Sequence, residues 1–197
     1  QNYYIRNMDA TGFTGSPSEW LISKCHFDKH TNYNSVIWFD KIHSVTVDSC
    51  VFDSDVTNTS GPTCIGYGNL DSAVITNNVF TNCKYCIQAY VASTDINQSI
   101  NIGNNVAFNC VALVEVPARM RYANIHDNSL SVVTYLIYYH GADFKDCKIS
   151  GNYGESVAKL FSFESGTAIN GMSLISDNVV VTDGASAAKF FADTISA

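Results

Sequence analysis

Ile75-Thr76-Asn77-Asn78-Val79-Phe80 is the stretch on which the reading of this chain turns, because its shape recurs from one end to the other. An aliphatic residue is followed three positions later by Asn or Cys, and two later again, in most copies, by an apolar residue. Ile22, Cys25 and Phe27 fit, as do Val47, Cys50 and Phe52. After the copy at Ile75 come Ile102, Asn105 and Ala107, then Ile125, Asn128 and Leu130. Ile149, Asn152 and Gly154, and Ile175, Asn178 and Val180, are looser versions. Successive starts lie 25, 28, 27, 23, 24 and 26 residues apart, a period narrow enough to mark a repeat architecture.

The 197 residues then form one continuous stack rather than two separate cores. With 46% hydrophobic and only 15% charged residues, the composition is that of an ordered protein. No apolar run approaches the roughly 18 residues of a membrane helix, and none has the form of a secretory signal. A net charge of −7 argues against a nucleic-acid partner, which would need a basic stripe. The sequence begins at Gln1 rather than Met, so a processed chain or an excised fragment is expected.

Seven cysteines are distributed by slot rather than in pairs. Cys25 and Cys50 stand where later copies carry Asn, and Cys83 and Cys110 each lie eight residues after a repeat start. Cys147 falls two before Ile149, where Val45, Ala73 and Ile100 stand elsewhere. Thiols that share slots with Val, Ala and Asn read as small buried side chains, rather than as a disulfide framework or a zinc site. Cys83-Lys84-Tyr85-Cys86 is a lone CxxC without a second pair at metal spacing. Reduced, buried thiols point to assembly in a reducing cytoplasm.

Residues 1–19 read as an irregular segment or incomplete rung, and 20–197 as the repeat body. Within each copy, Val45-Thr46-Val47, Ala73-Val74-Ile75 and Ile100-Asn101-Ile102 alternate apolar with polar or small residues, the period of a half-buried strand. A second run follows each Asn, as in Leu113-Val114-Glu115-Val116 and Tyr135-Leu136-Ile137-Tyr138-Tyr139. β-Branched and aromatic residues dominate these runs, and nothing reaches helical length at helical period. Short strands without intervening helices bury an inner face if the chain coils so that equivalent strands stack in parallel, about 4.8 Å apart. An Asn at a fixed turn suits such a stack, since it tolerates unusual backbone angles and its amide can bond to the Asn of the next rung.

On these repeats and turns, over residues 20 to 183, the chain resembles the right-handed single-stranded parallel β-helix of the pectate-lyase-like superfamily, with about seven rungs. Its asparagine-rich turns, tyrosines and unpaired cysteines make it most similar, within that fold, to the bodies of bacteriophage tailspikes and capsule or O-antigen depolymerases. The resemblance implies a homotrimer in the virion tail, assembled in the bacterial cytoplasm, that binds bacterial surface polysaccharide and often cleaves it. A non-catalytic binding or shaft module and a cellular polysaccharide lyase are the alternatives.

Ligands of such a fold lie along an outward face, so outward residues aligned across rungs are the candidates. Thirteen residues after the repeat starts come Gln88, Glu115, Tyr138 and Ser162; fifteen after come Tyr90, Pro117, His140 and Glu164. Arg119 and Arg121, two of three arginines, are expected to extend the same flank. Tyr90, Tyr138 and His140 would then offer rings to sugar faces, and Arg119 and Arg121 would grip carboxylates. Glu115 and Glu164 are the candidate catalytic pair: two rungs separate them by roughly 9.6 Å, near the spacing of an inverting glycosidase. The competing reading pairs Glu115 with Arg119 or Arg121 as a structural contact. A lyase would instead use Tyr138 or His140 as base beside an arginine. Neither a cofactor nor a metal is expected; Asp53-Ser54-Asp55 lacks the closing Glu of a calcium loop, and His26 and His30 do not converge on one ion. Trp38, Phe39, Phe161 and Phe163 are candidates for an apolar strip between copies. Phe190 and Phe191 could form a final rung within residues 184–197.

Overall fold

The aliphatic residue that opens each copy stacks on its equivalents in one unbroken parallel column, Ile22–Val47–Ile75–Ile102–Ile125–Ile149–Ile175. This arrangement comes from a computed structural model, which describes residues 5–6, 19–28, 35–39, 42–54, 62–68, 70–89, 99–117, 119–141, 143–163, 168–170, 173–181 and 189–192. Among the described residues there is no helix. The chain is an all-β parallel solenoid with three sheets as its walls. The seven-stranded wall takes one strand from each copy: Glu19–Ser23, Ile42–Asp48, Leu70–Thr76, Ile100–Gly103, Asn124–His126, Lys148–Ser150 and Leu174–Ser176. A 13-stranded sheet forms two more faces, fused because Val106–Val116 and Ser129–Tyr139 each run through a corner. Arg119–Arg121, Asp143–Lys145 and Ala168–Asn170 make a separate three-stranded sheet. At the ends, Ile5 pairs with Ile37, and Phe191 pairs with Phe161, so both termini contribute strands to the stack.

Corners follow one local rule. A residue in the left-handed region comes first: Lys24, Ser49, Asn77, Asn104, Asp127, Gly151 and Asp177 at the corner after the seven-stranded wall. The next residue is Cys25, Cys50, Asn78, Asn105, Asn128, Asn152 or Asn178, and from Cys50 to Asn152 it is buried. Asn, Asp and Gly adopt that backbone at small cost, which explains their enrichment there. Each buried Asn binds both neighbouring rungs. Asn105 Nδ2 donates to Ile75 O at 2.9 Å and to Asn128 Oδ1 at 3.0 Å, while Asn105 Oδ1 accepts from Asn78 N at 3.0 Å and Asn78 Nδ2 at 3.1 Å. The same set repeats at Asn128 and Asn152, ending on Asn178. Cys50 takes the slot one rung earlier. Its N–H donates to Asn78 Oδ1 at 2.9 Å, and its thiol donates weakly to Ile22 O at 3.7 Å, where an amide would reach the same carbonyl.

The two remaining corners use the same device. Asn82–Cys83 and Asn109–Cys110 form one, with Val132–Val133 and Ser156–Val157 above them; Ser99–Ile100, Tyr122–Ala123 and Asp146–Cys147 form the other. The thiols of Cys83, Cys110 and Cys147 reach the carbonyls of Phe52, Phe80 and Met120 on the preceding rung, at 4.0, 3.9 and 3.7 Å. Their slots are thus small buried corner positions, as the repeat implies. Val132 breaks the rule, being β-branched at φ 55° and 47% exposed. The register places it above Asn109, whose amide already donates to Asn82 Oδ1 at 2.6 Å. Val132→Asn is therefore expected to stabilise the chain by about 1 kcal/mol, relieving the strain without losing core contact. A melting point raised by roughly 2–4 °C would show it, and a lowered one would refute it.

Inside the walls, side chains stack by column. Phe27, Phe52 and Phe80 lie ring over ring, with centroids 4.8 and 5.1 Å apart. Ala107, Leu130, Gly154 and Val180 continue that column in register. A Cβ on Gly154 would come within 2.7 Å of Val157 Cγ2, so the neighbouring corner fills the space that glycine leaves. Such interdigitation keeps interior density near that of a crystal. Phe39 and Phe161 belong to this core with no exposed surface, so neither contributes to an apolar strip outside; Trp38 is half-buried, and the side chain of Phe163 lies outside the described residues.

Candidate functional site

The outer surface of Tyr85–Ala89, Val106–Val116, Ser129–Tyr139 and Lys159–Phe163 carries the residues with chemistry. In each strand two consecutive residues turn inward: Cys86 and Ile87, Leu113 and Val114, Leu136 and Ile137, Leu160 and Phe161, all buried. That local break in the alternation leaves outward residues three apart instead of two. One outward column is Gln88–Glu115–Tyr138–Ser162, the register expected from counting thirteen residues after each start. The other is Tyr85–Ala112–Tyr135–Lys159.

Glu115 is the unusual member, only 3% exposed although it occupies an outward position. One carboxylate oxygen, Oε1, accepts a short hydrogen bond from His140 Nε2, so with the carboxylate ionised the imidazole proton sits on Nε2. The other oxygen, Oε2, is buried without a hydrogen-bond partner. His140 stacks on Tyr138 at 4.9 Å between ring centroids, and Tyr138 stacks on Tyr135 at 5.0 Å. Lys159 Nζ lies 5.8 Å from the Tyr135 ring, and Lys84 Nζ lies 5.1 Å from that of Tyr85. Burial, and after it the negative charge of Glu115, raises the Tyr85 phenol above its ordinary range. On the other side of Glu115, Gln88 Oε1 accepts from Thr63 Oγ1 at 3.1 Å, which fixes that amide.

No family model, curated protein or solved structure matches this chain. The parallel β-solenoid expected from the repeats is present, and no relationship narrower than that fold is shown. Among the sequence candidates, Glu115, Tyr138 and His140 come together in one contact network. Tyr90 and Glu164 lie outside the described residues, and with Glu164 so does the proposed carboxylate pair. Arg119 and Arg121 stand on the three-stranded sheet, past the turn at Pro117, and not on the sheet of Glu115 and Tyr138. The polar partner of Glu115 is His140, in place of the arginine considered from the sequence. Sequence reasoning missed Tyr85, Tyr135 and Lys159; the recurring Tyr-x-x-Gln of Tyr85 to Gln88 and Tyr-x-x-Tyr of Tyr135 to Tyr138 was the signal that held them. Among the described residues, no group of three or more His, Cys, Asp or Glu is arranged to hold a metal ion.

Chemically, the three rings cover one another's faces, so the stack offers ring edges to a ligand, with a lysine over the Tyr135 end. Phenol, imidazole and ammonium groups along such an edge can hydrogen-bond saccharide hydroxyls. Glu115 holds the His140 end of the stack. While Oε2 stays buried, no ligand atom reaches it without movement of the residues around it, so in this arrangement the carboxylate positions His140 and does not act on a substrate.

Proposed function

We propose that this chain is a saccharide-recognition solenoid of the phage tailspike or receptor-binding type, directed at bacterial capsule or O-antigen. The observation that carries this reading is the Tyr135–Tyr138–His140 stack, anchored by a buried carboxylate on an otherwise outward face. A catalytic version would use Glu115 Oε2, which is buried and, among the described residues, without a hydrogen-bond partner, once a substrate opens the site. In that version Glu164 would be the second carboxylate and Tyr90 a further ring at the groove. Assembly as a homotrimer in the virion belongs to the same proposal. It is supported by exposed apolar residues aligned on one wall, with Val79 over Val106 and Tyr153 over Val179, flanked by Phe108 and Val181.

The test is incubation with capsular polysaccharides and lipopolysaccharides from many strains, scoring retention and released oligosaccharides, with the mass in solution measured in parallel. Tyr138→Ala is expected to weaken retention roughly 5- to 150-fold, since it removes the middle ring of the stack and a ring contact of this kind is worth about 1–3 kcal/mol. Release by wild type that stops in Glu115→Gln would establish the catalytic version. Retention without release would establish the binding module. No retention of any polysaccharide, or retention indifferent to Tyr138, would overturn the proposal.

A further inference from the structure

The interior holds a cluster that the outer site does not use. Cys64, Cys83, Cys86 and Cys110 are all without exposed surface, and they meet inside the solenoid from consecutive strands and corners. Cys64 Sγ lies 2.8 Å from Cys83 Sγ. Cys110 stands at the same corner one rung on from Cys83, its Sγ 3.9 Å from the Phe80 carbonyl oxygen. Beyond their packing at corners, the Cys64–Cys83 sulfur contact is the feature of this cluster that could carry chemistry.

We propose that Cys64 and Cys83 are a disulfide-forming pair that staples two consecutive rungs beside one corner. Bonded sulfurs sit about 2.05 Å apart, so closure from the observed contact needs less than about 1 Å of movement. Cys64 lies in Thr63–Tyr67 and Cys83 at the corner after Val79–Thr81, so the bond closes a loop containing Leu70–Thr76 and Asn78. The turn between these two rungs and the first asparagine of the ladder are then held by one covalent link. The reaction is thiol–disulfide exchange with a small-molecule disulfide. One thiolate attacks the reagent and expels a thiol, and the second thiolate then displaces the mixed disulfide; two S–H bonds are lost, one S–S bond is formed and the reagent leaves as two thiols. Burial raises the Cys64 thiol above its ordinary range, and the reagent has no route to it in the closed fold. The bond therefore forms while the rung is open, during folding or local unfolding, and resists reductant once the rung has shut. In a reducing compartment the pair stays as thiols; outside one it closes.

The experiment refolds the full chain from denaturant in oxidised and reduced glutathione, and separately in excess dithiothreitol. The glutathione sample is expected to lose two of its seven alkylatable thiols, to give a linked peptide joining Cys64 to Cys83, and to melt roughly 6–12 °C higher. Cys110→Ala is expected to keep the link. Seven thiols alkylated after denaturation, a link between any other pair, or loss of the link in Cys110→Ala would each overturn the proposal.

Discussion

Replacing Asn128 with alanine is expected to cost roughly 3–5 kcal/mol of stability, because one side chain satisfies groups on both neighbouring rungs. Its amide donates to Ile102 O at 3.1 Å and to Asn152 Oδ1 at 2.8 Å. Its carbonyl oxygen accepts from Asn105 N and Asn105 Nδ2, both at 3.0 Å. Alanine leaves the Asn105 donors and the Ile102 carbonyl without partners in a slot that is 1% exposed. Each orphaned buried group costs about 1–3 kcal/mol, and partial relaxation keeps the sum below the simple total. Asn178→Ala, half-buried, is the internal control: water can reach the groups it abandons, and the loss there is expected to be roughly 1–2 kcal/mol. Urea midpoints for the two variants decide the matter. Equal losses would mean that water enters the Asn128 slot and that the ladder is no stronger in its middle than at its edge.

The second large effect concerns His140. Its removal strips the one hydrogen bond that, among the described residues, reaches a carboxylate that is 3% exposed, leaving both oxygens of Glu115 without a partner there. Breaking a buried pair from one side costs about 3–5 kcal/mol, and the outer position of His140 places His140→Ala at the lower end, about 3 kcal/mol. Adding Glu115→Gln to that variant is expected to recover most of the loss, since a neutral amide carries no charge into burial. The double-mutant cycle separates this from lost stacking on Tyr138, which no change at Glu115 restores. If Glu115→Gln brings no recovery, the His140 contribution is the ring contact, and Glu115 is not the anchor argued above.

Register was legible in the sequence because the count from each starting isoleucine crosses the same two corners, with the same spacing, before the outward column. Between Ile102 and Glu115, and between Ile125 and Tyr138, the same number of residues turns the same Asn corner and the same second corner, so Glu115 and Tyr138 fall opposite each other. Counting further fails. Pro117 ends the strand, the chain turns again, and Arg119 and Arg121 enter a different sheet. Tyr135 escaped because strict alternation assigns outward residues at steps of two, while Leu136 and Ile137 both face the core. The cysteines were legible one at a time, as small corner residues, but not as a cluster. Cys64 stacks on Cys86 beside the Cys83 corner of the next rung, and counting from the repeat starts did not reach that slot because the stretch before Thr63 is longer than its equivalents in other copies.

The asparagine ladder gives this solenoid an axial electrical polarity. From Asn78 to Asn178 every carboxamide presents its oxygen to the N–H of the rung before it. The amide dipoles therefore point the same way and add along the stack, much as peptide dipoles add in a helix. The negative pole lies toward Cys50 and the positive pole toward Asn178. A charged group brought to one end of the solenoid meets a field of the opposite sign from that at the other end, so the two ends are electrostatically distinguishable to any partner that docks along the axis.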